Sequence, residues 1–185
     1  MKVILLTPME IEAAKAKNAL QRFSTLKNEY HVVVSGIGRE TTAKALMDLP
    51  AHEVCVLMGF GAIVGKQEAL PASFQLGMPI EITNASLYGY EGQSSENGKP
   101  ILAEAKTNLP CLSSLTSDKF MRTTKLEERT IVNMEDYTFM YLKKPQDFIV
   151  RIISDFLPHK KQINFMDEVA PIDFYWAIEA IEKVL

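Results

Sequence analysis

Cysteine is nearly missing: Cys55 and Cys111 are the only two in 185 residues, which argues against a disulfide-stapled secreted scaffold. Both lie in apolar, strand-like segments and read as reduced core residues, as in a cytoplasmic protein. Histidine is also scarce. His31, His52 and His159 stand far apart, and no Cys-x-x-Cys or His-x-x-x-His spacing occurs, so neither a metal site nor a metal cofactor is expected. There is no basic run or stripe and the formal net charge is −3, which argues against a nucleic-acid polymer as partner. Long apolar runs are lacking as well. Nothing approaches the roughly 20 residues that span a bilayer, and the N-terminal Val3-Ile4-Leu5-Leu6 passes into Thr7-Pro8-Met9-Glu10 without a small-residue cleavage site. Neither a membrane partner nor a signal segment is expected.

What the chain does have is a globular balance of 47% apolar and 23% charged residues, with enough length to bury a core as one domain over residues 1–185. Val3 to Leu6 is a short β-branched and aliphatic run suited to a buried strand. Thr7, Pro8 and Glu10 then form a helix-start signature, with Thr7 as N-cap and Glu10 as its reciprocal acid, and a helix running through Ile11, Ala14, Ala19 and Leu20. A strand at Tyr30 to Val34, a helix at about Glu40 to Leu49 and a strand at Glu53 to Met58 follow, the last reaching a glycine turn, Gly59-Phe60-Gly61-Ala62. This alternation predicts parallel crossovers and an α/β sandwich.

The middle departs from that rhythm. Strands are expected within Phe74 to Tyr88, near Ile101 to Ala105 and at Cys111 to Leu115, with a polar surface loop over Gly89 to Pro100. A helix from about Asn133 to Lys144 and an apolar strand from Phe148 to Ser154 restore the α/β pattern. Finally, Phe174, Ala177, Ile178, Ile181 and Leu185 make one helical stripe, with Pro171 marking its start or a kink. Glu12, Glu135 and Asp155 each lie where an element begins or ends, and ligands of open α/β sheets gather beyond the carboxyl ends of strands. Three acids carried to one sheet edge have the chemistry to make and break a glycosidic bond.

Six ordered pieces carry a family resemblance: Met9-Glu10-Ile11-Glu12, Val34-Ser35-Gly36-Ile37-Gly38-Arg39, Gly59 to Ala62, Ser117-Asp118-Lys119-Phe120, Val132-Asn133-Met134-Glu135 and Arg151-Ile152-Ile153-Ser154-Asp155. Together they resemble the nucleoside phosphorylase and nucleosidase superfamily, most of all its methylthioadenosine/S-adenosylhomocysteine nucleosidase branch. The resemblance spans nearly the whole chain, with a shortened middle. It implies a three-layer α/β/α sandwich with a mixed central sheet, commonly a homodimer, with a small purine nucleoside as partner and no cofactor.

The resemblance also implies roles. Asp155 is either a strand-end residue capping a turn or a general acid that protonates the departing purine, with Ser154 orienting it. Glu135 is either a helix-start acid facing the helix dipole or the carboxylate that grips the ribose hydroxyls, with Met134 packed on the sugar or in the core. Glu12 lies on a solvated helix face or activates the attacking water. Phe120 belongs to the core or stacks on the base. Arg151 pairs with a nearby acid of the site or makes a structural ion pair. Met9, Gly59, Phe60 and Gly61 complete the expected substrate contacts, the glycines by close backbone approach.

Departures from the family pattern stand at Phe60, at Asn133, at Asp136-Tyr137 after Glu135, and at Phe156-Leu157-Pro158 after Asp155. They bear on substrate choice and on whether activity persists. The expected activity is hydrolysis of a 5′-modified, adenosine-type nucleoside to free base. A phosphorylase would need arginines for its phosphate, and Arg39, beside Glu40, is the sole nearby candidate. A non-catalytic nucleoside-binding protein on the same scaffold is the third reading.

Overall fold

In the computed structural model the described residues are 1–65, 70–71, 74–89, 99–122, 127, 129–159 and 164–185. The expected loop at Gly89 to Pro100 lies largely outside them. The chain begins β1 (Lys2–Thr7), α1 (Glu10–Leu20), β2 (Glu29–Val34), α2 (Arg39–Asp48), β3 (Val54–Val64). It continues through β4 (Pro79–Leu87), β5 (Ile101–Leu102), β6 (Cys111–Thr116) and β7 (Ile131–Asn133) to α3 (Asp136–Leu142). It closes with β8 (Phe148–Leu157), α4 (Phe165–Val169) and α5 (Tyr175–Val184).

The sheet is mixed. β2, β1, β3 and β8 run parallel in that spatial order. β4 then joins β8 antiparallel, β6 joins β4 parallel, and β7 joins β6 parallel. β7 also returns antiparallel to β3 through Ala62 and Ile63, so the far half of the sheet closes into a ring of β3, β8, β4, β6 and β7. Alternation along the strands divides the core between two helical layers. Val3, Leu5, Val56, Met58, Val150 and Ile152 face α1 and α5, where Ala16, Ala19, Ile178 and Ile181 meet them. Ile4, Leu6, Leu57, Ile149 and Ile153 face the other way, against Phe139 and Met140 of α3 and the half-buried Leu46 of α2. The architecture is the three-layer α/β/α sandwich expected.

Several expected boundaries move. Thr7 does not cap α1. It is the last residue of β1, where its carbonyl accepts from Ser35 N–H and its hydroxyl donates to Val33. Met9 is the N-cap instead, and its N–H donates to Glu12 Oε2 at 2.8 Å. The reciprocal acid is therefore Glu12, while Glu10 and Ala14 are exposed. Gly59 to Ala62 is not a turn. β3 runs straight through it, with a register irregularity between Gly61 and Ala62, because pairing with β8 all along this stretch, joined by β7 from Ala62 on, holds the backbone extended. Similarly, β8 continues past Ser154 to Leu157. The helix expected from Asn133 starts only at Asp136, and the residues before it form the unexpected strand β7. Cys111, expected in the core, is exposed at the first residue of β6, whereas Cys55 is buried.

Candidate active site

Where the open sheet curls into the ring, a cavity of about 240 Å³ opens over the C-terminal halves of β3 and β8. From β1's exit and α1 come Met9 and Glu12, from β3 Phe60 and Gly61, and from the strand-to-helix step between β7 and α3 Met134 and Glu135. β8 supplies Arg151, Ser154 and Asp155, and the segment after β6 supplies Phe120. Acids far apart in number thus share one hollow. Gly59 is the exception among the candidates. It does not reach the cavity wall, because Glu12 stands in front of it. A Cβ there would lie 2.7 Å from Glu12 Oε1 and 2.9 Å from Arg151 Nη1. Its missing side chain makes room for that carboxylate and guanidinium rather than for a ligand.

Glu12 is 1% exposed and held at both oxygens. Oε1 accepts from Phe60 N–H at 2.6 Å and Oε2 from Met9 N–H. Burial pushes its carboxyl up to about 7, against the opposing pull of the Phe60 N–H and of Arg151. Each oxygen keeps a second lone pair for a ligand or water.

Arg151 binds the site together from below. Buried to 1% exposure, it donates from Nε to Asp136 Oδ1 at 2.8 Å and from Nη1 to the Phe60 carbonyl at 3.0 Å. Its Nη2 donates to both Asp136 and Glu135, at 2.6 and 2.9 Å. Burial works against the guanidinium charge, but Asp136 and Glu135 outweigh it and hold it protonated. Asp136, wholly buried, is pushed up by that burial, with Arg151 opposing. Three carboxylates lie around one guanidinium, and burial, with the charge of Glu135 adding to it, holds Glu12 and Asp136 above the ordinary carboxylate range.

Glu135 is the N-cap of α3. Its Oε2 meets Arg151, and its Oε1 accepts from the Gly38 N–H at 2.9 Å. Gly38, at φ +100°, occupies a backbone region that L side chains rarely adopt. That conformation starts α2 with its N–H aimed at the acid. Asn133, a departure from the family pattern, has a structural task. Its Oδ1 accepts from the Glu135 and Asp136 N–H groups, at 3.0 and 2.8 Å, and so fixes the first turn of α3.

Asp155 is 7% exposed. Ser154 Oγ donates to its Oδ1, and His159 Nε2 lies 2.6 Å from its Oδ2. Sequence reasoning passed over His159 as one of three scattered histidines. Its spacing of four from Asp155 was the available signal. Phe165, also missed, is a cavity-wall residue at the start of α4. It packs edge-to-face on Phe60 at 5.9 Å and on Phe120 at 6.0 Å. Phe60, the bulky departure, is thereby part of an aromatic wall. Phe120 and Ile37, both more than half exposed, stand at the mouth.

No protein-family model and no curated protein matches the chain. Its fold is that of solved bacterial nucleosidases. A methylthioadenosine/S-adenosylhomocysteine nucleosidase from Streptococcus pneumoniae, in complex with 8-aminoadenine, is 17% identical with TM-score 0.70, covering 100% of both chains. The Campylobacter jejuni 5′-methylthioadenosine/S-adenosylhomocysteine nucleosidase is 16% identical, with TM-score 0.69 over 100% of this chain and 98% of that one. An adenine-bound protein of this type from Chlamydia trachomatis is 16% identical, with TM-score 0.69 over 99% and 98%.

Proposed function

We propose that the protein is an N-ribosyl hydrolase that releases the free base from a 5′-modified, adenosine-type nucleoside. The single observation that carries this reading is that the buried acids Glu12, Glu135 and Asp155 line one cavity. Asp155 protonates the ring nitrogen of the departing purine, so the electron pair of the broken C1′–N bond leaves on a neutral base. Glu135 Oε2 is taken by Arg151 and the Met134 N–H, while Oε1 keeps a lone pair for a ribose hydroxyl, and the charge of the group favours the cation that builds on the sugar. Glu12 takes the proton of the water that adds to C1′. Phe120 and the aromatic wall suit a flat base, and the apolar remainder suits a thioalkyl group at the 5′ position.

Water is favoured over phosphate as nucleophile. Arg39, the candidate anion partner, is engaged by Asp118 through Nε–Oδ1 at 2.6 Å and Nη2–Oδ2 at 2.7 Å. Arg151 spends its hydrogen bonds on Asp136, Glu135 and Phe60. Neither Arg39 nor Arg151 is therefore free to bind a phosphate dianion, which would also meet Glu12. The deciding assay follows adenine release from 5′-methylthioadenosine with and without phosphate. Turnover in phosphate-free buffer is the expected result, and strict phosphate dependence would replace this reading by phosphorolysis. Tight binding without turnover would leave a nucleoside-binding protein.

The two unbridged cysteines support a cytoplasmic location, and exposed Ile37 and Phe120 at the cavity mouth support a homodimer.

A further inference from the structure

We propose that His159 is a positioning residue for the acid, acting through Asp155; the inference rests on the hydrolase reading above. The side chain is 7% exposed, with Nε2 2.6 Å from Asp155 Oδ2, yet it is not part of the cavity wall. Its backbone N–H donates to the Arg122 carbonyl at 3.0 Å, which ties it to the segment that carries Phe120. With Ser154 on Oδ1 and His159 on Oδ2, both oxygens of the carboxyl are fixed and its plane is set against the base site. The buried imidazole meets Asp155 at hydrogen-bond distance, and what that contact sets is the direction of the Asp155 carboxyl.

The step balances without a further reactant. The Asp155 carboxyl gives its proton to the base as the C1′–N bond breaks, and the carboxylate left behind carries the new charge. The His159 N–H donates to that carboxylate, a bond that strengthens as the charge develops and so favours the transition state over the bound substrate. Water adds to C1′, Glu12 receives its proton, and solvent later reloads Asp155 while the imidazole returns unchanged.

A leaving group that needs no proton separates this role from a merely structural one. The probes are 5′-methylthioadenosine and the 4-nitrophenyl glycoside of the same 5′-methylthio sugar, whose nitrophenolate leaves unprotonated. In His159→Phe, kcat for the adenine nucleoside falls about tenfold more than for the nitrophenyl glycoside, the rate equivalent of one hydrogen bond to a charged group. KM for the nucleoside is unchanged, and His159→Gln, which retains an N–H donor, recovers most of the loss. Equal loss on both probes, or no loss on either, overturns the inference while leaving the hydrolase reading standing. A wild-type protein that cleaves neither probe overturns both. Should His159→Phe fail to fold, the proton spectrum of the wild-type protein decides. A slowly exchanging, far-downfield imidazole proton that disappears in Asp155→Asn supports the pairing. Its persistence in that variant places the proton on another acceptor and removes the inference.

Discussion

Glu12 shows how one side chain serves structure and chemistry together. From sequence it has no structural task, because Glu10 reads as the acid of the helix cap. The structure reverses this: Glu10 is exposed, and Glu12 closes the cap of α1 while also holding the Phe60 N–H. The same burial pushes its carboxyl up to about 7. Below that pH it is neutral and cannot accept a proton, and above it the carboxylate is present. The expected kcat/KM profile for 5′-methylthioadenosine therefore rises with pH up to about 7 before it levels. Glu12→Gln should lower kcat more than it raises KM and abolish that rising limb, and a limb that survives would assign the ionisation to another group. Asp155→Asn should lower kcat by about a hundredfold or more at little change in KM, the ordinary contribution of a positioned acid. Steady-state assays of base release measure both. Arg151 was legible only as a residue that pairs with some acid. That its partners are Asp136 and Glu135 together depends on α3 starting beside β8, which nothing local encodes.

At the scale of elements, the glycines of β3 were visible but misassigned. Gly-x-Gly after an apolar run has the composition of a turn, and pairing with the distant strand β8 keeps it extended. The reason for glycine at 61 is crowding. A Cβ there would stand 2.6 Å from Ile131 Cγ2, at the place where β7 meets β3. Gly61→Ala should force the ring apart and cost about 1–3 kcal/mol, read from urea unfolding. A neutral result would mean that β7 can shift without cost. The link between α3 and β8 adds buried ion pairs of Arg151 to the apolar packing of Phe139 and Met140. Arg151→Met leaves Glu135 and Asp136 buried without their cation, and about 3–5 kcal/mol of stability should be lost. The loss should shrink at low pH, where protonation relieves the stranded carboxylates. Strand β7 escaped detection because three residues carry too little periodicity to read.

Across the whole molecule, the parallel half of the sheet supplies the strand ends, and closure of the other half brings the far wall over them. A binding cavity formed this way ties ligand affinity to global stability. Adenine at a hundred times its dissociation constant should raise the melting temperature by roughly 5–10 °C. A thermal-shift series over purines and pyrimidines measures this, and an equal response to both would argue against a purine site.

Apart from β7 and α4, the order of α/β elements, the two-faced alternation of the strands and the stripe of the last helix were determined by the sequence alone, because local periodicity states which face each element must bury. Sequence also placed Glu12, Glu135 and Asp155 near element ends, where a site can form. Only tertiary structure decided that β3 passes through its glycines and that Arg151 gathers the acids beneath the cavity. Those outcomes follow from pairing and packing between segments distant in number, and hydrogen bonds between such segments leave no trace in the local pattern of either one.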